Sequence, residues 1–68
     1  MHPLHAPLQA QVVQWLVAPG DTVRAGDIVV ILEAMKMEHE IRALADGRVV
    51  ELCCQPGDLV CEGDVLLL

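Results

Sequence analysis

The sequence predicts an all-β fold made of two related halves, and three observations carry that prediction. The chain repeats itself: moving residues 6–31 along by 37 (43 − 6) places them on 43–68, and nine positions then agree. They are Ala6/Ala43, Val12/Val49, Val13/Val50, Pro19/Pro56, Gly20/Gly57, Asp21/Asp58, Val23/Val60, Gly26/Gly63 and Asp27/Asp64. An internal repeat of this kind means one structural unit used twice. The composition is 54% hydrophobic with Trp15 as the only aromatic residue, so Val, Leu, Ile and Ala must fill the core. Such residues suit a thin pleated core. Finally, Pro-Gly and Gly-Asp pairs punctuate short apolar runs, as tight turns do.

Sixty-eight residues make one domain, residues 1–68, with an economical core, because a short chain buries a smaller share of its surface than a long one. The net charge of −6, with Arg24, Arg42 and Arg48 dispersed, argues against nucleic acid. The apolar runs, such as Ile28 to Leu32, are too short to span a bilayer, and no signal-peptide pattern opens the chain. A soluble, cytoplasmic protein is expected, or one of the mitochondrial matrix in a eukaryote. Cys53, Cys54 and Cys61 are odd in number, and neighbours on a strand point to opposite faces, so a disulfide framework is not expected. Without a paired C-x-x-C no metal site is expected. His2 and His5 read as part of a solvated terminal tail.

Taken in order, Met1 to Pro7 show little pattern, and the prolines leave room only for an edge strand, placed around Leu8. From Gln11 to Val17 the residues alternate, with Val13, Trp15 and Val17 on one face and Val12, Gln14 and Leu16 on the other, which predicts a strand. Pro19-Gly20 predicts a turn in which Asp21 bonds nearby N–H groups. A short extended piece around Val23 and a second turn at Gly26-Asp27 lead to a buried strand over Ile28–Ile31. In the second half Val50, Leu52 and Cys54 take the places of Val13, Trp15 and Val17, which predicts a core position for Cys54. Cys61 replaces Arg24 and is expected to face outward. Asp46-Gly47 is expected to be a hairpin turn leading to a strand that begins at Arg48.

Residues 32–45 fit two structures. Ala34, Met37, Ile41 and Leu44 fall on one helical face, yet Met37, His39, Ile41 and Ala43 alternate with Glu38, Glu40, Arg42 and Leu44 as in a strand. The repeat favours the strand. If 28–34 and 37–43 are strands, only Met35 and Lys36 remain to turn the chain, and Met-Lys is a poor choice where Asn-Gly or Asp-Gly is preferred. A local rule broken in an otherwise consistent chain marks a candidate for function. Lys36 is also the only lysine. An exposed lysine is ordinarily a solubilising charge, and Met35 and Met37 would ordinarily be core fillers. A lysine at a hairpin tip is instead held where another protein reaches it.

The stretch Glu33-Ala34-Met35-Lys36-Met37 resembles the attachment sequence of the biotinyl domains, or biotin carboxyl carrier domains, of biotin-dependent carboxylases. The resemblance runs from Ala6 to Leu68 through Gly20-Asp21-x-Val23-x-x-Gly26, Gly47 and Gly57-Asp58-x-Val60-x-x-Gly63. It implies a flattened barrel-sandwich of two four-stranded antiparallel sheets related by a pseudo-twofold axis, with the lysine at a hairpin tip. That settles the choice periodicity left open. It also implies that Lys36 carries covalent biotin, added by a biotin protein ligase, and that Glu33, Ala34, Met35 and Met37 form the motif the ligase recognises. Glu38 is a secondary candidate.

As partners the resemblance implies a biotin carboxylase and a carboxyltransferase, with neither nucleic acid nor membrane involved. No catalytic residue is expected, because no cluster of acid, base and nucleophile is visible. Three positions depart from the family pattern: Ala10 where glycine is common, Leu44 where proline is common and His39 where asparagine is common. A lipoyl domain, whose motif typically reads Asp-Lys-Ala, and an unmodified acidic interaction module are the alternatives.

Overall fold

The computed structural model describes residues 3–68. Among them there are eight strands and no helix: β1 (Leu4–His5), β2 (Ala10–Trp15), β3 (Thr22–Val23), β4 (Ile28–Ala34), β5 (Met37–Arg42), β6 (Gly47–Arg48), β7 (Leu59–Val60) and β8 (Val65–Leu67). All pairings are antiparallel. One sheet runs β5-β4-β2-β7, and the expected second sheet appears as two pairs, β1-β8 and β3-β6, with a bridge from Leu52 to Leu67. The flattened two-layer architecture is the expected one. The molecule is 19 × 18 Å across its short axes, room for two sheets about 10 Å apart.

The core is mainly aliphatic, with Leu32, Leu66, Val12, Val29 and Val30 fully buried and no buried polar or charged side chain among the described residues. Trp15 lies half-buried at its edge, where its Nε1–H donates to the Cys54 carbonyl at 2.9 Å. The repeat reappears as a reciprocal exchange of backbone hydrogen bonds. Gly20 N–H donates to Val49 O and Gly57 N–H to Val12 O; Gly26 N–H donates to Ala43 O and Gly63 N–H to Ala6 O. At each of these turns an aspartate Oδ2 accepts an N–H three residues upstream: Asp21 from Ala18, Asp27 from Arg24, Asp58 from Gln55 and Asp64 from Cys61. The expectation for Asp21 thus holds four times.

Several expectations are corrected. The edge strand is not at Leu8 but at Leu4–His5, between Pro3 and Pro7, where it borders β8. His5 therefore is not in a solvated tail: its Nδ1–H donates to the Gly63 carbonyl at 2.9 Å. His2 lies outside the described residues. Val13 faces outward, 39% exposed, while Val12 is buried. A register shift between Val12 and Gln14 is the cause, because one extra residue reverses the inward phase of the strand. Trp15 and Val17 then pack on the core as expected. The second half does the same: Val49 is buried and Val50 exposed, and the N–H groups of Val50 and Glu51 both donate to Leu68 O.

Asp46-Gly47 is not a hairpin turn. The bend falls at Leu44-Ala45, Asp46 Oδ1 accepts the Ala25 N–H, and Gly47, with no positive φ, joins β6 against β3. The chain crosses from one layer to the other there. Cys54 is buried and Cys61 exposed, as expected, and Cys53, Cys54 and Cys61 are free thiols. No helix among the described residues is long and apolar enough to cross a membrane.

Two expected outcomes follow from these contrasts. Gly57 has φ +94° and Gly47 has no positive φ, and a Cβ would touch nothing within 4 Å at either. Gly57→Ala should therefore destabilise by about 1–2 kcal/mol through backbone strain alone, while Gly47→Ala should fall within about 1 kcal/mol of the parent, on the stabilising side. Urea midpoints at constant m test this. Burial, and then the charge of Asp58, raises the Cys54 thiol above its ordinary range. A raised folded-state value means stability present below the unfolded thiol's pKa and lost as pH rises through the folded one. Mass spectrometry after alkylation at mildly alkaline pH should show Cys53 and Cys61 modified and Cys54 modified only on unfolding.

Candidate functional site

Strands β4 and β5 pair continuously from Val30↔Ile41 through Leu32↔His39 and Glu33↔Glu38 to Ala34↔Met37. Met35 and Lys36 are left as the two-residue turn, with φ of 55° and 63°. Positive φ at both central residues is the type I′ geometry that matches the twist of a hairpin. A side chain with a Cβ resists it by roughly 1–2 kcal/mol per residue. Met35 and Lys36 are the only non-glycine residues with positive φ among those described. The broken rule in the sequence is thus real backbone strain, placed at the lysine.

The side chains at this tip do not fill the core. Met35 is 91% exposed and Met37 62% exposed, which removes the core-filler reading of both methionines. Lys36 is exposed, and neither the ion pairs nor the hydrogen bonds among the described residues include it; the one ion pair joins Arg42 to Glu40 at 3.2 Å. Glu33 and Glu38 are exposed and directly opposed, an arrangement of like charges that disfavours the hairpin slightly. Ala34 is half-buried, packed against the core as the last residue of β4. Chemically, the tip offers one unencumbered primary amine on a stiff two-stranded support. His39 is half-buried across from Leu32.

A shallow groove runs beneath the tip, lined by Leu8, Gln11, Glu33, Ala34, Met35 and Leu59. Leu59 is 79% exposed, and sequence reasoning missed it. The signal was present in the repeat, where Leu59 occupies the place of polar Thr22. A large apolar residue gained at an outward position extends the apolar surface on the Met35 side of the tip.

A family model described as "Biotin-requiring enzyme" matches residues 2–68. Among curated proteins, the chain is 57% identical over 42 residues to the biotin-dependent acyl-coenzyme A carboxylase alpha3 subunit of Mycobacterium leprae, covering 62% of this chain and 7% of that protein. It is 48% identical over 42 residues to the biotin carboxyl carrier protein of acetyl-CoA carboxylase from Solanum lycopersicum, covering 62% of this chain and 60% of that protein. Among solved structures, a single-chain, multi-domain long-chain acyl-CoA carboxylase superposes with TM-score 0.90 at 39% identity over 97% of this chain and 6% of that one. The lipoyl domain of the 2-oxoglutarate dehydrogenase complex from Azotobacter vinelandii superposes with TM-score 0.79 at 30% identity, over 97% of this chain and 94% of that one. The chain thus spans a small fraction of several relatives it matches.

The geometry of the turn sets one expected outcome. Met35→Asn places a residue tolerant of the left-handed region at the strained position, and should raise stability by about 0.5–1 kcal/mol in urea unfolding. A loss of stability would show that the Met35 side chain makes contacts that outweigh its backbone strain.

Proposed function

Because the chain belongs to this family of biotin-requiring enzymes, we propose that it is a biotin carboxyl carrier domain, residues 1–68, in which Lys36 is the attachment residue. The observation that carries the reading is the sole lysine of the chain, exposed at the apex of a strained two-residue turn. Attachment fits that geometry. A biotin protein ligase supplies the vitamin as its acyl adenylate, and the unprotonated Nζ attacks the acyl carbon. A C–N bond forms, the acyl–phosphate C–O bond breaks with AMP leaving, and the amine's proton passes to solvent. The product amide is neutral, so the tip loses its only cation.

Held on Lys36, biotin would supply a ureido nitrogen able to carry a carboxyl group between a biotin carboxylase site and a carboxyltransferase site. What this chain contributes is placement. The β4–β5 hairpin holds the amine clear of the body, and the tether raises the effective concentration at both sites without tight docking. In this reading the domain provides no acid, base or nucleophile to either half-reaction and is not itself an enzyme. Met35 and Met37 give the ligase an apolar surface on either side of the amine, Glu33 adds charge at the hairpin neck, and half-buried Ala34 keeps the strand end close to the core. Its free thiols suit a reducing compartment such as the cytoplasm.

The likeness to a lipoyl domain makes lipoylation of the same lysine the second reading, since the fold and the turn serve either acyl group. The motif discriminates, because Met35 and Met37 flank Lys36 where lipoyl domains typically carry Asp and Ala. Co-expression with a biotin ligase and, separately, with a lipoyl ligase should yield an intact mass corresponding to one biotin and to no lipoyl group. A lipoyl adduct would reverse the assignment, and an unmodified chain under both conditions would leave an interaction module. Lys36→Arg should unfold at the parent's urea midpoint and carry no adduct, since a guanidinium stays protonated and is not an amine nucleophile.

A further inference from the structure

Leu59 is a residue the scaffold does not require. It stands in the two-residue strand β7 at the edge of the four-stranded sheet and is 79% exposed, so its side chain adds little to the core. Its counterpart in the first half is Thr22, exposed in the equally short strand β3. One half of the framework is thus built with a threonine at this place, and threonine is a good strand former. Leucine at the same place in the other half leaves extra apolar surface in water, at a cost that burial by something else would recover.

The strand register fixes where that surface lies. Gln11 is paired with Glu33 on one side and with Leu59 on the other, and Glu33 is paired in turn with Glu38. Directly opposed residues share a face of the sheet. Glu38, Glu33, Gln11 and Leu59 therefore form one exposed row across the four strands. With strands about 4.8 Å apart, and about 3.3 Å of rise per residue from Glu33 to the turn, Leu59 sits roughly 15 Å from Lys36. Leu8, Gln11, Glu33, Met35 and Leu59 line a single groove, whose only charged wall residue is Glu33. Apolar surface gained at Leu59 is thus continuous with Met35, the neighbour of the amine.

We propose that Leu59 is a recognition residue for the biotin protein ligase, which seats an apolar side chain in the groove between Leu59 and Met35 while it acts on Lys36. The inference rests on the reading of Lys36 as the biotin attachment residue. Size selects this occupant. A standard interface covers about 800 Å² on each partner, and a patch of that area centred on Lys36 has a radius of about 16 Å, which takes in Leu59. A protein that encloses the amine therefore covers the groove as well. A second copy of this chain is a poor occupant, because it brings the same Glu33 and Glu38 to the contact and two chains of net charge −6 repel. Leu59 lies well away from the acyl carbon, so its contact is made equally before and during the transfer. Such a contact acts on KM and not on kcat.

Steady-state biotinylation of the whole chain by a biotin ligase, read by intact mass, tests the proposal. Leu59→Thr should raise the KM for the chain by about fivefold, from the smaller apolar area it buries, with kcat within about twofold and the urea midpoint unchanged. Leu59→Met, which keeps the apolar bulk, should restore the parent's KM. Thr22→Leu, the reverse exchange at the equivalent place in the other half, should leave KM where it is. An unchanged KM for Leu59→Thr, in a chain that otherwise takes up biotin normally, overturns this inference alone. A parent chain that takes up no biotin overturns the reading of Lys36 and the inference with it. A raised KM accompanied by a lowered urea midpoint would assign Leu59 to the scaffold. Amide NMR shifts at Leu8, Gln11 and Leu59 on biotinylation, with no ligase present, would assign the groove to the biotin arm instead.

Discussion

Everything in this molecule depends on the exchange of turns between its two halves. Val12 N–H and Ala6 N–H donate to Asp58 O and Asp64 O, while Val49 N–H and Ala43 N–H donate to Asp21 O and Asp27 O. The four glycine N–H groups return the favour across the same boundary. Neither half can satisfy its own backbone, so each is incomplete alone. At about 1 kcal/mol net apiece these bonds are individually modest, but a domain of this size has only roughly 3–10 kcal/mol of total stability. A largely aliphatic core in two thin layers leaves little to replace them. The aspartate carboxylates add a further lock, closing each turn so that its glycine is held in the left-handed region the crossing bond requires.

That framework allows the hairpin tip to be strained. The pairs from Val30↔Ile41 to Ala34↔Met37 fix the register on both sides of the turn, and Leu32 and Val30 anchor the same strand in the core. With the neck fixed, Met35 and Lys36 have no other way to join the strands. The opposed Glu33 and Glu38 and the exposed Met35 add further small costs at the same place. None of these features helps the fold. Together they present an amine between two exposed methionines at a geometry that a relaxed Asn-Gly turn would also reach, but without those side chains.

Much of this was legible in the chain. Repetition located the turns, the buried strand and the fate of Cys54 and Cys61, and the broken turn rule located the backbone strain at Met35-Lys36. What escaped was any feature set by a single inserted residue or by competition between layers. A bulge carries no residue signature beyond two adjacent valines, so alternation assigned Val13 and Val50 to the wrong face. Leu4–His5 is too short for periodicity and is a strand only because β8 lies beside it. Asp46-Gly47 is a strong local turn signal overridden by the pairing of Gly47 with Val23 and by the bond from Ala25 to Asp46. The helical pattern over 32–45 is genuine, but the helix would forfeit the ladder that buries Leu32 and Ile41.

Internal symmetry also picks out the residues that belong to the scaffold. His5 and Arg42 differ in chemistry yet occupy equivalent places, and each donates to the carbonyl of the equivalent glycine, Gly63 at 2.9 Å and Gly26 at 2.8 Å. The bond is conserved although the residue is not, which marks both as parts of the scaffold. Trp15 and Leu52 fill equivalent positions at the edge of the core in the same way. Lys36 lies in the stretch 32–41 that joins the two copies of the repeat. Its side chain joins no ion pair or hydrogen bond among the described residues. Under the proposed function, a residue that the doubled framework does not use, yet holds in a conformation costing stability, serves something outside the chain.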